Sequence, residues 1–129
     1  MQGALEDIVR RFGASTGTIH LLDRGVLALR AHVGLPPPVV ELVRTVPIGK
    51  GMAGVCAERN APVDSCNIQV DTSGNVRPGA KTTGVNGAVV VPIRDAAGAL
   101  RGTLGIGVHH EHTYSDDEIA RLLAEAARL

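Results

Sequence analysis

Aromatic side chains are almost missing from this chain of 129 residues. Phenylalanine, tyrosine and tryptophan make up 2% of it, and Phe12 and Tyr114 are the only members of the class. A site that stacks a nucleobase or another ring on a protein aromatic has almost nothing to use here. The composition therefore disfavours functions that depend on stacking.

An excess of charge is also lacking. Thirteen basic and thirteen acidic residues give a formal net charge of zero, so the overall field attracts neither DNA nor an anionic membrane. The longest obvious apolar run, residues 88–93, is far shorter than the roughly 18 residues of a spanning helix. The amphipathic beginning of the chain, with Glu6 and Asp7, does not resemble a signal peptide. We expect a cytoplasmic protein with neither nucleic-acid nor membrane partners.

Cysteine is scarce as well. Cys56 and Cys66 are too few for a disulfide framework and lack the spacing of a zinc or redox motif, so both are expected to be free thiols. Cys56 has helical spacing from Met52 and is predicted to be a small buried thiol. Cys66 opens a polar segment, where it is either an inert loop residue or a reactive, ligand-linked one.

What remains is the composition of one ordinary globular domain. The chain has a mass of 13.4 kDa and contains 44% hydrophobic and 20% charged residues, so it can bury about two thirds of its unfolded surface. Sixteen glycines and seven prolines imply many turns, which favours a sheet with short connections over a helical bundle.

Hydrophobic periodicity and turn residues predict alternating helices and strands. A capping box at Ser115 and Glu118 marks the beginning of the last helix. The predicted order is a helix at 3–12, a hairpin at 18–22 and 26–33, a short helix after the prolines at 36–38, a helix around 52–56, a brief strand at 63–65, a hairpin at 87–94 and 100–109, and a helix from 115.

The segment 66–86 between these elements is rich in amide, hydroxyl and glycine residues. Loops longer than about 12 to 15 residues without regular structure are uncommon in compact domains and are often functional. Glycines at 74, 79 and 84 would let this loop close over a ligand, and Arg77 and Lys81 permit an anionic one. We therefore predict that it is a ligand lid.

An ordered series of motifs resembles the GAF domain family. The series consists of VPIGKGMAGVCAERNAPV at 46–63, GAVVVPIR at 87–94, GTLGIGV at 102–108 and YSDDE at 114–118. The resemblance covers nearly the whole chain and implies a single GAF-like domain at 1–129. It implies an α+β fold: a six-stranded antiparallel sheet with the N- and C-terminal helices on one face, and short helices and loops over a pocket on the other, as in GAF and PAS domains.

The resemblance also implies a non-catalytic regulatory or sensor domain, which binds an unidentified small molecule and relays a signal through its terminal helices. The partner is expected to be a second copy, in a homodimer, or a neighbouring signalling domain. The apolar faces of both terminal helices, with Leu5, Ile8 and Phe12 on the first and Leu122 on the last, are expected to exceed what one sheet face covers, which favours the homodimer. A structural dimerisation domain with a vestigial pocket is an alternative.

A second alternative is an enzyme similar to the free methionine sulfoxide reductases. Where that branch has Gly-Val-Cys-Gly, this chain has Gly-Met-Ala-Gly at 51–54, and its loop ends at 81–84 without a cysteine. The signature of cyclic-nucleotide GAF domains is not found, and the residue after Cys66 does not fit bilin attachment. The sequence thus predicts no enzyme and identifies no cofactor.

The ligand-binding residues are predicted on the first strand, the last strand and the lid loop. The resemblance places His20 toward the pocket, and the alternative is a hydrogen-bonded, half-buried core residue. His109 is expected to share its face on the neighbouring strand. A metal site is not predicted, because strand alternation sends His109 and His110 to opposite faces. The predicted set is His20, Cys66, Asn67, Gln69, Asp71, Arg77, Thr82 and His109.

Overall fold

The computed structural model describes residues 1–76 and 83–129, and within these ranges it contains four helices and six strands. The helices are α1 (Gln2–Arg11), α2 (Pro37–Val43), α3 (Gly51–Arg59) and α4 (Asp116–Ala126). The strands are β1 (Thr16–Asp23), β2 (Val26–Val33), β3 (Thr45–Pro47), β4 (Val63–Ser65), β5 (Gly87–Arg94) and β6 (Leu100–Val108).

The six strands form one sheet in the order β3-β2-β1-β6-β5-β4, and all neighbouring strands are antiparallel. This confirms the predicted α+β class with a six-stranded antiparallel sheet. The two long hairpins supply the four central strands, and the short strands β3 and β4 form the edges.

Strand alternation divides the interior between the two faces of the sheet. On β5, Val89 and Val91 belong to the main core with α1 and α4, whereas Val90 packs with Val55 and Cys56 of α3. The continuous apolar run in β5 is therefore buried on both faces, as the sequence predicts. The terminal helices cover one face, and the short helices lie over the other.

The apolar sides of the terminal helices are used within the chain itself. Leu5, Ile8 and Val9 of α1 and Leu122 of α4 are buried in the main core, with Phe12 packed at its margin. The expectation that these faces exceed what the sheet covers is wrong, because the sheet buries them. The apolar faces of these helices therefore no longer favour a homodimer, while the oligomeric state itself stays a prediction.

Local signals place the helix ends near their predicted positions. The side chain of Ser115 accepts a hydrogen bond from the backbone N–H of Glu118, whose side chain accepts one from the backbone N–H of Ser115, which confirms the predicted capping box. Helix α3 ends at Asn60 in the left-handed conformation, with φ of 49°. A Cβ on Gly54 would lie 2.3 Å from the carbonyl oxygen of Pro47, so this glycine allows α3 to pack closely on the end of β3.

In the described part of the chain, none of the helices combines the length and the apolar character that crossing a membrane requires.

Candidate functional site

A cavity of about 310 Å³ lies on the sheet face opposite the terminal helices. Its floor comes from β1, β5 and β6, and its walls come from α2, from the first turn of α3 and from parts of the segment between β4 and β5. Aliphatic side chains dominate the lining, among them Val39, Val46, Met52 and Ile68. The volume is at the lower end of the range for small-molecule sites.

Alternating residues on the central strands form the floor. Thr16, Thr18 and His20 of β1 line the cavity, and β6 contributes Gly105 and Gly107. A Cβ on Gly107 would lie 2.8 Å from Oγ1 of Thr16, and one on Gly105 would lie 3.1 Å from Oγ1 of Thr18. The glycines of β6 therefore allow the threonine side chains of β1 to lie close against that strand.

His20 is the most buried polar group in the cavity lining, with 2% of its surface exposed. Its Nε2 lies 2.8 Å from the carbonyl oxygen of Val43, at the end of α2. A carbonyl oxygen can only accept, so Nε2 donates this bond. Burial lowers the pKa of the imidazole more than the bond to Val43 raises it, so the ring is neutral at pH 7 and Nδ1 carries a lone pair.

That Nδ1 atom has no hydrogen-bond partner among the described residues. A buried polar atom without a partner costs about 1–3 kcal/mol. The other polar groups of the lining are the side chains of Thr16, Thr18 and Thr83 and the ammonium group of Lys50, an exposed residue. No carboxylate belongs to the described lining.

The predicted lid residues Asn67, Gln69 and Asp71 organise their own loop. Oδ1 of Asn67 accepts hydrogen bonds from the backbone N–H of Gln69 and from Nδ2 of Asn86, each at 3.1 Å. Nε2 of Gln69 donates to the carbonyl oxygen of Val85 at 2.7 Å, and the hydroxyl of Ser65 donates to Asp71 at 2.6 Å. These three residues are not part of the described lining, and their role in ligand binding stays a prediction.

The other predicted site residues lie apart from His20. Cys66 is exposed and, like His109, is not part of the described lining. His109 directly follows the end of β6 at Val108 as an exposed residue, with Nδ1 3.0 Å from the carbonyl oxygen of Gly84. That it shares the face of His20 stays a prediction. Arg77 and Thr82 lie outside the described residues.

The two thiols differ strongly in environment. Cys56 of α3 is fully buried against the sheet, as the sequence predicts, and burial raises its pKa to about 12 despite the opposing effect of Arg94. A thiol with this pKa is almost entirely protonated at neutral pH and therefore a poor nucleophile. Cys66 is the exposed thiol. Within residues 1–76 and 83–129, no three His, Cys, Asp or Glu side chains form a group that could hold a metal ion.

The apolar character of the cavity is what sequence reasoning missed. The predicted site residues do not include the valines, Met52 and Ile68 of the cavity wall, nor Thr16 and Thr18 of its floor. One sequence signal was available. Polar residues alternate along β1 at Thr16, Thr18 and His20, and the first two pair with glycines of β6, Gly107 and Gly105. That pattern is typical of a strand face that carries no hydrophobic core.

Comparisons with known proteins agree with this architecture. The GAF domain family model matches residues 1–129, whereas no curated protein matches the chain in sequence. Two similar solved structures are GAF domains of phosphoenolpyruvate-protein phosphotransferases. The one from Acinetobacter is 19% identical, with a TM-score of 0.80 over 98% of this chain and 75% of that chain. The one from Coxiella burnetii is 22% identical, with a TM-score of 0.80 over 98% and 76%.

The same fold occurs in an enzyme. The type II free methionine-R-sulfoxide reductase from Thermoplasma acidophilum is 20% identical to this chain, with a TM-score of 0.79 over 99% of this chain and 85% of that chain. At these identities the likeness shows the fold and does not decide between regulatory and catalytic relatives.

Proposed function

The chain belongs to the GAF domain family, and on this premise we propose that residues 1–129 form a single regulatory domain that binds a small molecule and relays its binding through the terminal helices. GAF domains are often found as regulatory domains of kinases and phosphotransferases. The observation that carries the proposal is the aliphatic cavity over β1, β5 and β6, with His20 in its floor. A concave, mostly apolar site with a few polar groups is the form that small-molecule sites usually take.

A non-catalytic role is supported by the thiols. Reduction of a sulfoxide by cysteine requires a thiolate next to the substrate and a second thiol that resolves the intermediate. Cys56 is protonated and buried, and Cys66 is not part of the described cavity lining. We therefore favour a sensor over the reductase activity that the name of the Thermoplasma relative describes.

The proposed relay runs through the segment 109–115, which connects β6 to α4 and is hydrogen-bonded to the loop after β4. The carbonyl oxygen of Cys66 accepts a hydrogen bond from the backbone N–H of His112 at 3.0 Å, and Nδ2 of Asn67 donates to Glu111 at 2.9 Å. Nε2 of His112 lies 2.9 Å from Oε2 of Glu118, which is also part of the capping box of α4. A movement of the loop over a ligand would therefore act on the first turn of α4.

Native mass spectrometry of gently purified protein tests the binding proposal. We expect the wild-type protein to carry a small-molecule adduct. Ala88 of β5 lines the cavity, so an Ala88→Phe side chain would occupy the ligand's space and remove the adduct. Ala120→Phe, at an exposed position of α4, is the matched control and should keep it. An adduct that survives in Ala88→Phe, or none in the wild type, would contradict the proposal.

Hydrogen exchange tests the relay separately. Removing the adduct should change the rates of amide hydrogen exchange in the first turn of α4 in the wild type. The change should be smaller in His112→Phe, which keeps a ring against Tyr114 but loses the bond to Glu118. An unchanged α4 would reject the relay while leaving ligand binding intact. A cytoplasmic location and the partner, a second copy or a neighbouring signalling domain, remain predictions.

A further inference from the structure

The cavity has a polar group that selects between ligand chemistries. Threonine hydroxyls can donate or accept, so Thr16 and Thr18 adapt to either kind of ligand group. His20 cannot adapt in this way, because the carbonyl oxygen of Val43 holds the proton on Nε2 and leaves Nδ1 as an acceptor. A ligand oxygen that carries no hydrogen would bring its own lone pair against the lone pair of Nδ1, and the two would repel each other.

The surroundings of His20 also disfavour a charged ligand group at this depth. Charges taken out of water without a partner cost several kcal/mol, and the lining that His20 shares is mostly aliphatic, with Val39, Val43 and Val46 among its members. The ammonium group of Lys50 is the charged group of the described lining, and Lys50 is an exposed residue. The interior of the cavity therefore suits a neutral molecule.

The volume limits the size of this molecule. A dry cavity of roughly 150 Å³ lined by aliphatic and aromatic side chains holds benzene, and this cavity is about 310 Å³. It therefore accommodates about two fused rings or a branched aliphatic compound of the same size. With few aromatic residues in the chain, contact with such a compound comes from methyl groups, which do not require a flat ligand.

We infer that the cavity takes an uncharged, largely apolar compound of at most about two rings, whose hydroxyl or N–H group donates a hydrogen bond to Nδ1 of His20. This inference rests on the proposed function, because it names the ligand class of the same cavity. The hydrogen bond would satisfy a polar atom that is otherwise buried without a partner among the described residues. Ligands with a hydrogen-bond donor would therefore bind more tightly than ethers, ketones and anions of the same shape.

Paired probes test the hydrogen bond. 2-Naphthol carries a donor, whereas 2-methoxynaphthalene has the same rings and only an acceptor. The chain contains no tryptophan and one tyrosine, so the fluorescence of both probes can be titrated against little protein background. We expect 2-naphthol to bind the wild type at least about fivefold more tightly, since an unsatisfied buried group costs about 1–3 kcal/mol.

Variants assign that preference to His20. His20→Phe keeps a ring but no acceptor, so the preference should disappear while 2-methoxynaphthalene still binds. In His20→Asn, Oδ1 can accept near the place of Nδ1, so the preference should return. His32→Phe, the same substitution at an exposed residue of β2 outside the described lining, is the matched control and should keep it.

The possible failures can be told apart. Equal binding of the two probes by the wild type, or an unchanged preference in His20→Phe, would overturn the inference and leave the proposed function standing. Binding of neither probe to a protein that carries a native adduct would overturn the ligand class alone. Binding of neither probe, with no adduct in the native mass spectrum, would overturn the proposed function as well.

Discussion

The buried, neutral state of His20 has a measurable consequence for stability. Burial lowers the pKa of His20 below its ordinary value of 6.5, which is close to that of the unfolded chain. Between these two pKa values the unfolded state binds a proton that the folded state does not. The free energy of unfolding is therefore unaffected by His20 above pH 6.5 and falls as the pH decreases below it.

The magnitude follows from the same linkage. His20 lowers the free energy of unfolding at pH 5.5 relative to pH 7.5 by at most about 1.4 kcal/mol, the limit reached if the folded state binds no proton there. The lowered pKa of Glu118, due mainly to its hydrogen bond with Ser115, acts at pH values below 4.5 and lies outside this window. Protonation of His20 would add a proton to Nδ1, which has no hydrogen-bond partner among the described residues.

Urea unfolding followed by circular dichroism measures this contribution. The loss of unfolding free energy between pH 7.5 and pH 5.5 should be larger in the wild type than in His20→Phe, by up to about 1.4 kcal/mol. Thr18→Val should behave like the wild type. The same pH dependence in His20→Phe and in the wild type would refute the assignment of a buried neutral imidazole.

Three further predictions concern the helix cap and the thiols. Ser115→Ala removes the cap of α4, so it should cost about 1 kcal/mol of unfolding free energy in urea titrations, and an unchanged midpoint would count against the capping box. A thiol reagent should modify Cys66 quickly and Cys56 only on unfolding, because Cys56 is buried and its pKa is about 12; two fast thiols would reject that burial. The protein should not reduce free methionine sulfoxide in the presence of a thiol reductant. Reductase activity in the wild type that disappears in Cys66→Ser would instead support the hypothesis of an enzyme.

The fold could be predicted because several local signals agree. The capping box fixed the beginning of α4, the run at 87–94 indicated a strand buried on both faces, and the ordered motifs matched the arrangement of the sheet. Each of these signals depends on residues close together in the sequence or on simple alternation. Their consistency across the chain is what made the antiparallel sheet predictable.

The site was harder to predict, because its walls come from distant parts of the chain. Val43, Met52 and Ile68 meet over the sheet only after folding, and in the sequence each one is typical of an ordinary core residue. Polar loop residues were predicted instead, but Asn67 and Gln69 form hydrogen bonds within their own loop. His20 was predicted because the resemblance placed it toward the pocket. Its hydrogen bond to Val43 could not be predicted, because it depends on where the end of α2 lies in the fold.

The most direct test of ligand binding in this cavity is the set of contacts made by a bound compound. Isotope-filtered nuclear Overhauser spectra of the protein with 2-naphthol, or with the compound that co-purifies, report methyl groups within about 5 Å. We expect contacts to methyl groups of Val43, Val46 and Val90, which line the cavity. Contacts to Ile8 and Leu122, which lie in the core beneath the terminal helices, would contradict it.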